Sequence, residues 1–257
     1  MEVMMLASNG DPPETPTLTK GSNRMGEKLT DYFFDLNGYL IIESAVDPSD
    51  LTAMNQWVDD HWEYVQQPKD GSGNPRWIGR VETQSYGSQD GVNFQNIVDG
   101  GPVFEKLIDH PVWIHLIRKY IALNNGLSIH ENFLNVRGES GHLYIHSGGH
   151  FPRQYFTFRH HNTGEWMVGM INVLIALQDI GPGDGGTVLI PSSHKATEAH
   201  PRLEDEGEKV GSLNDGRLSE TATGMIEIHL KAGDALFFTD AVTHGSSART
   251  NNGFRRS

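Results

Sequence analysis

Apolar positions recur at helical spacing through the first half of the chain and alternate through the second. From Leu29, LTDYFFDLNGYLIIESAV reads as an apolar helix face, a turn at Asn37-Gly38 and a short strand over Tyr39 to Ile42. Asp47-Pro48-Ser49-Asp50 supplies helix-start residues. Leu51, Met54, Trp57, Val58 and Trp62 follow near helical spacing, which predicts a surface-packed amphipathic helix. Residues 67–92 are rich in turn formers, and PVFEKLIDHPVWIHLIRKYIALN predicts one or two helices broken at Pro111. After Gly126 the period drops to two. SIHENFLNV, HLYIHS, QYFTF, MINVLIAL, GTVLIP, MIEIHL and DALFFTD are short apolar runs separated by Gly, Asn and Asp. Such strands after a helical first half predict a β-sandwich or barrel with helices packed outside. The expected division is therefore a flexible tail over 1–28, a helical part over about 29–125 and a β part over about 126–257. The polar, acidic stretch 197–224 reads as a lid or insertion between two strands.

Composition narrows the chemistry. The 257 residues include no cysteine and thirteen histidines, so a metal here must be held through nitrogen and oxygen. Lys plus Arg number 20 against 33 Asp plus Glu, a formal charge of −13 that argues against nucleic acid and anionic membranes as partners. The longest apolar stretch, Met167 to Leu177, is too short to span a bilayer, and MEVMMLASNGDPPETP has neither a basic start nor a long apolar core. A cytoplasmic or organelle-matrix location is the expectation. G-x-G-x-x-G, Walker A and G-x-S-x-G are all absent.

Most of the thirteen histidines have structural readings. His61, His110, His115 and His142 lie in helical or loop contexts without a suitable partner nearby in sequence. His160 and His161 are adjacent, so on a strand they face opposite sides and cannot both enter one site. His146 and His244 stand out. The first ends an apolar strand and runs into Ser147-Gly148-Gly149; the second follows ALFF and enters Gly245-Ser246. A histidine at a strand end beside a glycine turn is how an all-β barrel presents a metal ligand at its mouth.

VLIALQDIGPGDGGTVLIPSSHK followed by GDALFFTDAVTHGSSARTNNGFRRS resembles the C-terminal signature of the phytanoyl-CoA dioxygenase family. Those proteins are non-haem Fe(II)/2-oxoglutarate oxygenases on a double-stranded β-helix, or jelly-roll, core. NGYLIIESAVDPSDLTAM and GGPVFEKLIDHPVWIHLIRKYI resemble the family's opening strand and helices, so the likeness covers about residues 29–257. The resemblance implies Fe(II) and 2-oxoglutarate as cofactors, O2 and a small molecule as partners, and succinate and CO2 as co-products of a hydroxylation. It makes His244 the distal iron ligand and Arg255, eleven residues on, the anchor of the 2-oxoglutarate C5 carboxylate. An arginine offers a planar fork that holds a carboxylate by two charge-assisted bonds, and Ser246 can add a hydroxyl bond to the same group.

The sequence departs from the family at one place. The proximal motif His-x-Asp is here His146-Ser147-Gly148, so His146 lacks its carboxylate partner. Three accounts stay open. Asp240 substitutes, which requires Ala241 to Thr243 to turn back, because four residues of extended chain span about 13 Å. Alternatively a halide fills the vacancy, as in related halogenases with His-x-Gly; or metal binding is lost and the domain is a jelly-roll binding module. Asn132, Asn135 and Arg137 on the strand before His146 are further pocket candidates, as are Arg153, Tyr155 and Trp166. No basic patch for CoA phosphates is evident, which favours a small metabolite or lipid-like acid. In the family the strand bearing the arginine continues past it, so the end at Ser257 predicts a jelly roll lacking its last strand, with an exposed sheet edge.

Overall fold

The computed structural model describes residues 17–18, 24–65, 75–85, 91–121, 126–139, 142–147, 168–196, 198–201 and 223–257. The expectations for residues 1–16, for the strand QYFTF, for His160 and His161, for Gly148, Gly149, Arg153, Tyr155 and Trp166, and for most of the 197–224 lid lie outside the described residues.

Within them the molecule is mainly β with packed helices. Strand β1 (Thr17–Leu18) and helix α1 (Arg24–Asn37) precede β2 (Tyr39–Ile42). Order thus begins before Leu29, correcting the expected tail boundary at 28: Thr17 and Leu18 pair in parallel with Ile41 and Ile42. The extra helical turn is supported by Glu27 at the positive end of the helix dipole and by the Thr30 hydroxyl donating to Gly26 O at 2.9 Å. Helix α2 (Pro48–Asp60) starts at the proline, whose missing N–H costs nothing at a first helical position. Helices α3 (Pro102–Glu105) and α4 (Ile114–Tyr120) lie either side of Pro111.

A second correction concerns the helical first half. The segment read as turn-rich contains an antiparallel meander of β3 (Arg76–Ile78), β4 (Val81–Ser85) and β5 (Val92–Gln95). Gly79-Arg80 is a two-residue hairpin turn with Gly79 at φ 61°, so Ile78 pairs directly with Val81. The meander continues through β6 (Phe133–Arg137) to β13 (Arg255–Arg256). The remaining strands are β7 (Leu143–His146), β8 (Ile171–Ile175), β9 (Thr187–Leu189), β10 (Ile226–Glu227), β11 (Ala235–Thr239) and β12 (His244–Ser246).

Three sheets result, ordered β1-β2-β11-β8, β13-β6-β5-β4-β3 and β10-β9-β12-β7. Leu177 N donates to Arg256 O at 3.2 Å, and Ser257 exchanges both backbone bonds with Asn135, so β13 is bonded on both sides and the first two sheets run on as one wall. The third sheet forms the opposite wall. Alternation along the strands sorts side chains onto the two faces of the large wall. Ala235, Phe237, Leu134, Val136, Val92 and Phe94 pack with Phe34, Met54, Val58, Phe104 and Tyr120 of the helices. Leu236, Phe238, Tyr39 and Ile41 point the other way and meet Leu189, Ile228 and Val242, filling one end of the interior with apolar groups. The same inward face of β5 and β6 carries Asn93, Gln95, Asn135 and Arg137, all buried. One end of the interior is thus apolar and the other polar.

Candidate active site

His244 and His146 are register partners on β12 and β7, with ring centroids 4.1 Å apart. His244 also meets the edge of Phe238 at 4.8 Å, which places it at the boundary between the apolar plug and the polar end. The chain before it does not stay extended. Val242 N bonds to Thr239 O at 3.1 Å, and Ala241 N to the Thr239 hydroxyl at 3.3 Å, closing a tight turn over Asp240 to Val242. The turn is pinned from three sides: Asp240 N donates to Met170 O, the Ser147 hydroxyl to Ala241 O at 2.8 Å, and Thr243 N to the Ser193 hydroxyl at 2.7 Å. Its consequence is that Asp240 Oδ1 comes within 4.0 Å of His244 Nε2. Asn172 Nδ2 donates to the same carboxylate oxygen at 3.0 Å and sets its orientation.

This donor set fits a divalent cation in its chemistry. His244 Nδ1 lies 2.7 Å from Val242 O, and a carbonyl only accepts, so the ring proton sits on Nδ1 and the Nε2 lone pair faces Asp240. Burial, reinforced by the neighbouring His146 ring, holds the His244 pKa well below its ordinary value, so the imidazole is neutral and able to ligate. Two imidazoles and one carboxylate match the nitrogen and oxygen donors that suit non-haem iron. Among the described residues no group of three His, Asp or Glu side chains is placed so that it could hold a metal ion.

The other half of the site is cationic. Arg255 is buried on β13; it donates to Gly185 O, to Asn135 Oδ1 at 3.0 Å and to the Ser257 hydroxyl at 3.4 Å. Asn135 in turn donates to Asn93 Oδ1 at 2.6 Å, a relay from β5 through β6 that fixes the guanidinium. Gly185, at φ 74°, presents its carbonyl from a conformation that a side chain disfavours, and a Cβ there would press on Ser247 O at 3.0 Å. Ser246 lies across the interior, where its hydroxyl accepts from Arg137 Nη1 and from Leu143 N at 2.7 Å. Burial first, then Arg137 and Arg249, press the Arg255 pKa well below the guanidinium range against the opposing pull of Asp184. Arginine keeps its proton in proteins, so this environment raises the demand for an anion.

The candidates separate accordingly. His146 and His244 face each other across β7 and β12, Asp240 Oδ1 lies 4.0 Å from His244 Nε2, and Arg255, Ser246, Arg137 and Asn135 are buried in the interior. Asn132 does not join them, because its Oδ1 caps Val98 N at 3.0 Å. His61 packs at a tilt on Trp57, His110 stacks on Trp113, and His115 bonds to Pro111 O. Asn93, Asn172, Ser147 and Ser193 were missed; each supports a site residue from another strand or loop, a relation that no spacing in the sequence encodes.

A family model described as phytanoyl-CoA dioxygenase (PhyH) matches residues 34–257. The chain belongs to the phytanoyl-CoA dioxygenase family. Membership carries the class of activity, a 2-oxoglutarate-dependent dioxygenase that works with iron. A probable phytanoyl-CoA dioxygenase of Caenorhabditis elegans is 23% identical over 231 residues, spanning 87% of this chain and 71% of that protein. Among solved structures, HygX from Streptomyces hygroscopicus with nickel and 2-oxoglutarate bound superposes with a TM-score of 0.67 at 22% identity, over 92% of this chain and 85% of that one. The carbocyclase SnoK, a non-haem alpha-ketoglutarate-dependent enzyme from nogalamycin biosynthesis, gives 0.57 at 16% identity, over 89% and 80%. The family's fold thus extends over nearly the whole chain. No helix among the described residues is long and apolar enough to cross a membrane.

Proposed function

We propose that this chain is an Fe(II)- and 2-oxoglutarate-dependent oxygenase on a double-stranded β-helix core, hydroxylating a small or lipid-like organic molecule, with Asp240 in place of the carboxylate that His146-Ser147-Gly148 lacks. The observation that carries the reading is the turn over Asp240 to Val242, which returns Asp240 to within 4.0 Å of His244. Small-molecule chemistry is supported by relatives: HygX has been solved with hygromycin B bound, and SnoK belongs to nogalamycin biosynthesis.

His146, His244 and Asp240 would hold the iron, leaving up to three positions for an oxo acid and O2. When bound, that pair of cofactors supplies the oxidising power to break a substrate C–H bond, with succinate and CO2 released. The chain's own contribution is placement. Val242 O holds the His244 proton on Nδ1, and Asn172 keeps the Asp240 carboxylate turned toward the rings. Arg255 fixes the far carboxylate of the oxo acid, its own position set by Asn135 and Gly185. Phe238 and the apolar groups behind it keep water from the inner side of the histidine pair, which strengthens every charge interaction in front of it.

The test is anaerobic Fe(II) titration with succinate formation as second readout. Asp240→Ala should weaken iron binding by at least about tenfold, with Asp240→Asn no better than partial, and abolish 2-oxoglutarate turnover. Full activity in Asp240→Ala removes Asp240 as a ligand. A chlorinated product appearing only with chloride present would assign the halide account instead, and turnover absent from the wild type would leave the binding module.

A further inference from the structure

The inner face of the large wall continues beyond the residues of the site, onto the β3-β4-β5 meander. Ile78, Val81, Phe94 and Leu134 point toward the helices and pack in the main apolar cluster. Their neighbours along each strand point the other way, into the space between the walls. Register sets four of these in one row across four strands: Trp77 is opposite Glu82, Glu82 opposite Gln95, and Gln95 opposite Phe133. Neighbouring strands lie about 4.8 Å apart, so the row is roughly 14 Å long. Gln95 is buried and its Nε2 donates to Glu131 Oε1 at 3.4 Å, which brings a second carboxylate beside the row.

The depth of the row follows from the way β6 leads into β7. Arg137 Nη1 and Leu143 N both donate to the Ser246 hydroxyl, and residues 138–142 join the two strands, so β6 arrives and β7 leaves at the Ser246 level. From there β7 rises three residues to His146, the register partner of His244. Followed back from Arg137, β6 rises four residues to Phe133. The row therefore stands about one residue, or roughly 3 Å, further out than the histidine pair on the facing wall. It lies at the mouth of the interior.

Its composition suits neither a core nor a lipid. Trp77 and Phe133 point inward yet are 55% and 44% exposed. Between them the half-buried Glu82 carboxylate takes no hydrogen bond or ion pair among the described residues. A fatty chain laid along the row would bury that carboxylate without compensation. An anionic ligand would meet Glu82 and Glu131, with a formal charge of −13 behind them. An organic cation is the complement: aromatic ring faces attract it, and a carboxylate supplies the countercharge.

We infer that Trp77, Glu82, Gln95 and Phe133 form the substrate platform, and that the substrate is a small organic cation, a protonated amine carried on a ring or other apolar body. The inference rests on the oxygenase reading above and deepens it, replacing a small or lipid-like molecule by one class. The ammonium pairs with Glu82, the apolar body lies along Trp77 or Phe133, and the remainder extends toward the histidine pair.

Three probes that share one ring and differ in the head group test this: cyclohexylamine, cyclohexanol and cyclohexanecarboxylate. Each is titrated into the full-length protein and followed by ligand-observed NMR. Wild type should bind the amine about fivefold or more tighter than the alcohol, from the countercharge and the ring face together, and the acid weakest. Glu82→Gln should bring the amine down to the level of the alcohol. Trp77→Leu, which keeps an apolar strand residue, should weaken the amine more than the alcohol. With Mn(II) bound at the metal site, the ring protons of the bound amine should relax faster. No binding by wild type, equal binding of amine and alcohol, a preference for the acid, or an amine preference that survives both folded variants overturns the inference and leaves the oxygenase reading standing. So does an amine that binds without feeling a bound Mn(II), because its seat is then remote from the metal. Mn(II) that does not bind at all would overturn the oxygenase reading itself, and the substrate assignment with it.

Discussion

His194 shows how firmly burial governs protonation in this molecule. Desolvation, with a smaller push from Lys195, lowers its pKa from 6.5 to about 4, although Asp35 O accepts from Nε2 at 3.1 Å. In the unfolded chain the ring takes up a proton as pH falls through 6.5; in the folded protein it does so only near pH 4. The unfolded state therefore binds more protons in that window, and stability falls with pH between them by up to about 3 kcal/mol. Urea unfolding midpoints measured from pH 7 to 4.5 should drop steadily in wild type, and His194→Gln should flatten the slope. An unchanged slope would mean that other groups carry the acid sensitivity. At this scale the sequence was legible where chemistry is local: His146, His244, Ser246 and Arg255 stood out by residue type beside glycine turns and by their spacing. Asp240 was visible as a carboxylate, but its reach was not, because the turn depends on Ser147, Ser193 and Met170, up to about ninety residues away in sequence.

At the scale of elements, the end of α1 is clamped to the loop that carries the site. Ser192 N and its hydroxyl bond to Asn37 O and Leu36 O, Thr239 N bonds to Gly38 O, and Ser193 reaches the Asp240–Thr243 turn. Gly38 is the pivot. It has φ 81°, and a Cβ there would lie 2.4 Å from Val242 and 2.5 Å from His194 Nδ1. Gly38→Ala should cost about 2 kcal/mol or more, from the left-handed backbone and the forced repacking. It should also weaken Fe(II) binding, because Val242 carries the carbonyl that orients His244. Thermal unfolding and iron titration check the two effects, and destabilisation without change at the metal would separate the clamp from the site. The Asn37-Gly38 turn, the Tyr39–Ile42 strand and the helix break at Pro111 were legible because glycine, proline and β-branched runs act locally. The β3-β4-β5 meander was not. Val92-Asn93-Phe94-Gln95 alternates for only four residues, and its polar members face a polar interior instead of solvent. Val81 is the one apolar residue of β4. An internal polar face removes the contrast that periodicity detects.

For the whole molecule, a chain with formal charge −13 has to receive an anionic co-substrate. The surface field opposes that, and positive charge is held inside, on the buried Arg255 of β13. The same layout divides the interior into an apolar end that excludes water and a polar end that binds, with the histidine pair between them. A mainly β fold and the family were legible from the sequence as a whole, since the alternation after Gly126 and the C-terminal signature each draw on many residues at once. The ligand set did not, because it rests on one turn within that frame. The most direct measurement of the central claim is an anaerobic crystal structure of the Fe(II)–2-oxoglutarate complex with iron located by anomalous scattering. Iron bonded to His146 Nε2, His244 Nε2 and an Asp240 oxygen is the predicted result. Iron held by the two histidines with chloride or water completing the sphere, and Asp240 left on Asn172, would contradict it.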